Sequence, residues 1–343
     1  MPRPPQRPTI YDVAHEARVA ISTVSRVING SSEVSDATRQ RVQAAIRTLQ
    51  FQPHRTARTL AQQESTTTVA VALPSATSLF FVEMLKGVKD ALRERDIDLL
   101  LCNLGSSQPY PTLERFLKRG AVDGLLLMAL PVEGAVADQL LHLQAPVVLL
   151  GSRCDGLDAY WWDDQEGARL ATSYLIEQGH RRIGLITAHA WSTSAEPRLA
   201  GYRQALDDAG IPFDETLVAA GETTKHAGYS EEAGAEAMES LLALSEPPTA
   251  VFAASDVQAY GAWSLARDRG LVVPRDVSVV GYDDLKLSRF LDLTTVTQGM
   301  HRAGLMATQR LLDRLDADTA ARKDVELPLT LGVRGSTASP SEP

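Results

Sequence analysis

Cysteine is nearly absent from this chain of 343 residues: Cys102 and Cys154 stand far apart, with no metal-ligand pattern around either. Two such thiols exclude a disulfide framework and suit a reducing compartment. No stretch approaches the roughly 18 consecutive apolar residues that a membrane span needs. The opening Met-Pro-Arg-Pro-Pro-Gln-Arg-Pro has no apolar segment behind its charges, so it does not read as a signal peptide. A soluble, cytoplasmic protein without membrane partners is expected. Enzyme signatures are missing too. There is no phosphate-binding loop, no Gly-x-Ser-x-Gly elbow and no dinucleotide fingerprint, and the seven histidines are scattered. No catalytic residue, metal or cofactor is expected.

Lysine is absent from residues 1–60, but arginine is not. That segment holds nine arginines against four acids, a net of +5, whereas the remaining residues carry 25 basic and 39 acidic groups, a net of −14. The overall charge of −9 argues against a nucleic-acid binder, but its distribution points the other way. A small basic head on a large acidic body suits a protein that holds DNA at one end only.

The head shows helical periodicity. Behind Thr9, a candidate N-cap, Ile10, Val13, Ala14 and Ala17 recur at spacings of three and four. After a tight turn Val24, Val27 and Ile28 repeat the spacing, leaving Ser22, Thr23, Ser25 and Arg26 on the outward arc. Such a helix can lie in a major groove, where Arg and small polar groups meet base edges and phosphates. A third helix is expected after Val34-Ser35-Asp36 (staple residue, cap and early acid), with Val42, Ala45, Ile46 and Leu49 as its stripe and Phe51 closing the core. Pro53 to Ala61 is a basic segment of about two helical turns, and Gln62 to Thr68 reads as a linker.

From Val69 onward short apolar runs alternate with amphipathic helices. Strands are expected at 69–73, 97–102, 124–129, 147–151, 183–187, 250–253 and 277–282. Helices are expected near 82–95, 109–119, 134–143, 166–178, 198–209, 230–243 and 257–269. Continuously apolar strands, each followed by a helix, indicate parallel sheets covered on both faces. The pattern is too long for one sheet and predicts two doubly wound subdomains, with a ligand cleft at the carboxyl ends of their strands. The boundaries expected are a head at 1–52, a hinge and linker at 53–66, a body at 67–335 and a disordered tail at 336–343.

Several strings together resemble the LacI/GalR family of bacterial transcription regulators: Thr9-Ile10-Tyr11-Asp12-Val13-Ala14, Thr23-Val24-Ser25-Arg26-Val27-Ile28-Asn29-Gly30 and Val34-Ser35 in the head, then Arg55, Ala57 and Leu60. In the body the resemblance rests on Phe80-Phe81, Gly179-His180-Arg181-Arg182-Ile183, Arg198 to Tyr202, Ser255-Asp256 and Val279 to Asp284. It implies an all-α helix-turn-helix head with a hinge helix, and an α/β body resembling periplasmic sugar-binding proteins. It also implies a homodimer that reads a near-palindromic operator in double-stranded DNA under control of a small effector.

Carried over residue by residue, the resemblance places Ile21 and Ser22 where bases are chosen, with Arg26 beside them able to pair with guanine and Ile21 able to meet a thymine methyl. Thr9, Tyr11, Thr23, Ser25 and Asn29 are assigned to phosphates and register. In the hinge, Leu60 would wedge open a minor-groove step, with His54, Arg55, Ala57 and Arg58 around it. The chain departs from the family where it has Arg18 for a turn Gly, Ala20 for a capping Ser, and His54 for Asn. Arg18 would strain a backbone that needs positive φ and would supply a phosphate contact in return.

The resemblance lines the cleft with Phe80, Phe81, Trp162, Ser194, Arg198, Ser255, Asp256 and Asp283. Arg198 and Asp283 are expected to face each other across it, holding vicinal hydroxyls, while an aromatic ring stacks on a sugar face. If Trp161 and Trp162 lie on a strand, one of them at most reaches ligand. Repression of carbohydrate-utilisation genes under the control of a small sugar effector is the leading expectation. A nucleobase effector is disfavoured by Gly221-Glu222-Thr223, which lacks an aromatic, and a sugar phosphate would call on Arg153 or Lys225. Corepressor-dependent and activating modes stay open, with a transport-type binding protein as the remote alternative. For the dimer, Met84, Leu85, Val88 and Leu92 of helix 82–95 are the candidate face, unless they are core. No leucine-heptad helix follows the body to build a tetramer.

Overall fold

The apolar spacings of the head fold as three helices. In a computed structural model that describes residues 9–28, 31, 34–49, 67–105, 108–119, 122–190, 192–317 and 321–340, these are α1 (Ile10–Ala17), α2 (Ile21–Ile28) and α3 (Asp36–Thr48). Val13, Ala14, Ala17, Val24, Val27, Val42 and Ala45 are their common core, with Ile46 and Leu49 packed against it. Thr9 and Asp12 cap α1 reciprocally: the Asp12 amide donates to Thr9 Oγ1 at 3.4 Å and the Thr9 amide to Asp12 Oδ2 at 2.7 Å. Ser35 precedes α3 but makes no side-chain cap. Its hydroxyl turns instead to Thr38 Oγ1.

The chain divides into two compact units, 1–66 and 67–343. Within the second, two sheets of six strands form two lobes, ordered β2-β1-β3-β4-β5-β11 and β7-β6-β8-β9-β10-β12. The amino-terminal sheet holds β1 (Thr67–Leu73), β2 (Ile97–Asn103), β3 (Gly124–Met128), β4 (Val147–Leu150), β5 (Asp158–Trp161) and β11 (Asp324–Glu326). The other holds β6 (Ile183–Thr187), β7 (Val218–Ala220), β8 (Ala250–Ala253), β9 (Ser278–Asp283), β10 (Thr294–Thr297) and β12 (Thr330–Gly332). Every pairing is parallel except β10 with β12. The chain crosses between lobes after β5, after β10 and after β11, so three segments join them.

Helices cover both faces of the first sheet. On one lie α4 (Leu79–Leu92) and the long α12 (Met300–Asp316), and on the other α5 (Pro109–Leu117) and α6 (Gly134–Leu141). The second lobe carries α7 (Asp164–Glu177), α8 (Ala195–Asp208), α9 (Glu231–Leu242), α10 (Asp256–Asp268) and the short α11 (Lys286–Phe290).

Of the two readings left open for helix 82–95, core holds for its apolar stripe: Met84, Val88 and Leu92 are buried in the lobe core and Leu85 packs on it, because α12 lies directly against α4. The expectation of a disordered tail fails, since residues 336–340 do not trail free. Ser336 is fully buried; its hydroxyl donates to the Val279 carbonyl at 2.6 Å and accepts from the Thr294 amide at 2.8 Å. The small polar side chains that read as disorder satisfy strand ends instead.

Candidate DNA-reading helix and effector cavity

In the head, α2 turns its valines inward and leaves Ile21, Ser22 and Arg26 exposed, with Thr23 and Ser25 half-buried beside them. Tyr11 on α1 is 68 % exposed, although it is a large ring that a core would absorb. The turn between the helices is closed by Arg18 in the left-handed region (φ 53°, ψ 52°), its amide bonded to the His15 and Ala14 carbonyls. Only glycine adopts that conformation freely. Ala20 closes the first turn of α2 through its carbonyl, which accepts from the Thr23 and Val24 amides. Asn29, Phe51, His54, Arg55, Ala57, Arg58 and Leu60 lie outside the described residues.

In the body a cavity of about 350 Å³ opens at the carboxyl ends of the strands of both lobes. Phe80, Phe81, Trp162, Ser194, Arg198, Ser255 and Asp283 all line it. The Phe80 and Phe81 rings meet edge to face at 5.2 Å, and Phe80 lies 6.3 Å from Trp162. Trp162 is fixed by its indole N–H, which donates to the Gln298 carbonyl at 2.8 Å. Trp161 takes the other side of the strand, donating to Asp324 Oδ1 and lying under the Arg153 guanidinium.

Arg198 sits in the first turn of α8 and is buried. Its Nε and Nη2 reach Asp164 Oδ1 at 3.0 and 2.8 Å, and Nη1 donates to the Ala254 carbonyl. Its plane lies 3.7 Å over Tyr282, whose hydroxyl also donates to Asp164 at 3.1 Å. Burial is the largest influence and disfavours the charged guanidinium, but Asp164 together with Tyr229, Tyr282 and Asp283 more than offsets it, so the proton is held more tightly than usual. Arg198 therefore does not face Asp283 across the cleft as expected. Both project from the same lobe: Arg198 lies over Tyr282, the residue before Asp283 on β9. Asp283 is buried at the end of β9 with φ 124°. Burial pushes its carboxyl well above the carboxylate range, against the pull of Arg198.

Asp256 is the second departure, since it is fully buried and does not line the cavity. Its Oδ2 accepts from the Leu285 amide at 2.7 Å and Ser288 Oγ at 2.5 Å, and its Oδ1 from Thr295 Oγ1 at 2.6 Å. It ties α10 to β10 and to the segment after β9, and burial raises its carboxyl to about 6. Helix capping falls to its neighbour Ser255, whose Oγ accepts from the Gln258 amide at 3.2 Å.

Reading from the residues had missed Asp164, Tyr229, His226, Ser75 and Tyr110, all cavity residues. Asp164 had a signal, standing two residues past Trp162 at a strand end. His226 had none. It lies in a turn where His226 and Ala227 both take left-handed φ (50° and 59°). From there Nδ1 meets Ser75 Oγ of the opposite lobe at 2.8 Å, and burial lowers its affinity for a proton.

Comparison with known proteins agrees with both units. Residues 9–54 match the model of bacterial regulatory proteins of the lacI family, and residues 172–337 match a periplasmic binding protein-like domain. Catabolite control protein A of Priestia megaterium is 33 % identical over 340 residues, covering 96 % of this chain and 99 % of that protein. The chain belongs to the LacI family. It is accordingly a DNA-binding transcriptional regulator and not an enzyme. Among solved structures, a complex of the regulator CelR with cellobiose matches this LacI-family chain with TM-score 0.68 and 35 % identity, over 96 % of this chain and all of that one. The lac repressor dimer bound to operator and an anti-inducer matches with TM-score 0.70 and 27 % identity, over 97 % and 100 %. Among the described residues no helix is long and apolar enough to cross a membrane.

Proposed function

We propose that this protein is a cytoplasmic repressor of carbohydrate-utilisation genes, which binds a near-palindromic operator as a homodimer and responds to an uncharged sugar. The cavity's charge balance carries the effector reading. Among its described lining residues Arg198 is the only arginine or lysine, and Asp164 already neutralises it. A phosphate would need a free cation. Of the two candidates from the sequence, Arg153 is stacked on Trp161 and Lys225 is paired with Glu232 at 2.9 Å. Aromatic rings at one wall with Ser194, Arg198 and Asp283 at the other suit a sugar, apolar on its faces and hydroxylated at its rim. That the related CelR was solved with cellobiose supports the same class.

At the other end Ile21, Ser22 and Arg26 read bases, while Thr9, Tyr11, Arg18, Thr23, Ser25 and Asn29 hold the backbone, with His54, Arg55, Ala57 and Leu60 serving the hinge. Sugar binding shifts DNA affinity to the extent that it favours one lobe arrangement over another. The test is a thermal-shift screen of the full chain against sugars, sugar phosphates and nucleobases, since a ligand specific to the folded state raises Tm. A rise with neutral sugars alone is expected. A rise confined to nucleobases or phosphorylated compounds overturns the effector assignment and leaves the DNA-binding one standing.

A further inference from the structure

The cavity does not end at the phenylalanines. Gln108, Pro109, Tyr110 and Pro111, at the start of α5, also line it, together with Leu130 and Pro131 after β3. These residues enter from the other side of the sheet. Phe81 belongs with the core layer of α4 and α12, built on Val69, Val71, Leu126 and Met128. Tyr110 packs on the opposite layer, built on Ala70, Ala72, Leu125 and Leu127. The cavity of about 350 Å³ falls in the range that takes drug-sized ligands, which leaves room for a second ring beside the first.

The two ends also differ in chemistry. Asp164, Arg198, Asp283 and Ser194 supply the polar end, all from the carboxyl-terminal lobe. The far end offers Pro109, Pro111, Leu130 and Pro131 around one ring, and no charge. That ring is held in place, because the Tyr110 hydroxyl donates to the Pro131 carbonyl at 3.0 Å. A fixed aromatic face between prolines is a surface on which the apolar side of a pyranose stacks.

We propose that the effector is an uncharged disaccharide, with one ring held by Asp164, Arg198 and Asp283 and the second stacked on Tyr110, which makes Tyr110 a specificity-determining residue. This rests on the sugar reading of the cavity. The test is calorimetric titration of the full chain with glucose, galactose and fructose, and with cellobiose, maltose, lactose, sucrose and trehalose, repeated on Tyr110→Ala and Tyr110→Phe. At least one disaccharide should bind about tenfold or more tighter than its component monosaccharides, roughly the worth of one aromatic contact. Tyr110→Ala should erase that advantage and leave monosaccharide binding within about twofold. Tyr110→Phe, which keeps the ring, should retain most of it and shows that the site still folds. Monosaccharides binding as tightly as every disaccharide, or Tyr110→Ala weakening both equally, overturns the second-ring site while the sugar reading survives. Binding of none of the eight sugars overturns both.

Discussion

Single side chains in this protein trade local comfort against contact. Arg18 does so most clearly: it holds a left-handed backbone that glycine would adopt freely, at a cost of about 1–3 kcal/mol for a non-glycine residue. Arg18→Gly should therefore raise the head's stability by roughly 1 kcal/mol, after the entropy of glycine in the unfolded chain is deducted. It should also weaken operator binding and reduce the salt slope by about one, as expected for a lost phosphate contact. Denaturation and salt titration of the variant check the two halves separately, and an unchanged slope removes Arg18 from the DNA interface. His180 makes the opposite trade. Buried, its Nε2 donates to the Ala338 carbonyl and its Nδ1 meets Thr249 Oγ1, and burial lowers its pKa from the ordinary 6.5. Below about 6.5 the unfolded chain takes up a proton that the native ring resists, so His180's contribution to stability falls as pH drops through that window. Wild type should lose part of its advantage over His180→Gln between pH 7.5 and 5.5 in urea denaturation. A constant gap would mean that the ring titrates normally.

At the scale of elements, close helix pairs shape the lobes. A Cβ on Gly304 of α12 would lie 2.1 Å from the Met84 carbonyl of α4, and one on Gly87 of α4 would lie 2.0 Å from the His301 carbonyl. The backbones touch because neither position carries a side chain. Gly304→Ala should cost about 1–3 kcal/mol, as overpacking does, and thermal melts of the body read it directly; a variant as stable as wild type would show that the pair can slide apart. This pairing also explains what the sequence left unread. The apolar strands and most helices of the body were legible within a few residues, since continuous Leu and Val runs such as 124–128 have few alternatives. Helix α12 and strand β5 were not. On α12, Arg310 faces inward and is 3 % exposed, and on β5, Asp158 is 2 % exposed. Asp158 accepts from Arg310 at 2.9 and 3.0 Å and from Arg314 at 2.7 Å. A buried ion cluster breaks the apolar rhythm in both elements, and only the folded chain shows that the two interruptions answer each other. The cavity was legible in the same uneven way. The family resemblance marked Trp162 and Asp283, whereas it also marked Asp256 as a cleft residue, which its three donors overturn, and Tyr110 and His226 sit on segments without a motif.

For the molecule as a whole, the question is where two copies meet, since α4 is spoken for. Strand β2 is an edge of its sheet, and Leu99, Leu100 and Leu101 are each 43 % exposed. Three successive leucines alternate between faces, so the open edge is apolar on both sides, which natural proteins avoid unless the edge is covered. On the other lobe Phe290 is 78 % exposed, with Leu287 and Leu291 beside it in and after α11. Exposed apolar groups on both lobes fit an interface running along the body, and the homodimer proposed above makes a second copy of this chain the occupant. Leu100→Lys combined with Phe290→Lys should give a monomer in sedimentation at micromolar concentration, with circular dichroism unchanged because neither side chain is core and Tm lowered only by the lost contribution of the partner. Operator affinity should then fall by about a hundredfold or more, since each half-site is bound without the effective concentration a partner provides. A double variant that stays dimeric would place the interface elsewhere on the body. A monomer with full affinity would mean that pairing on DNA is the work of the head and hinge alone.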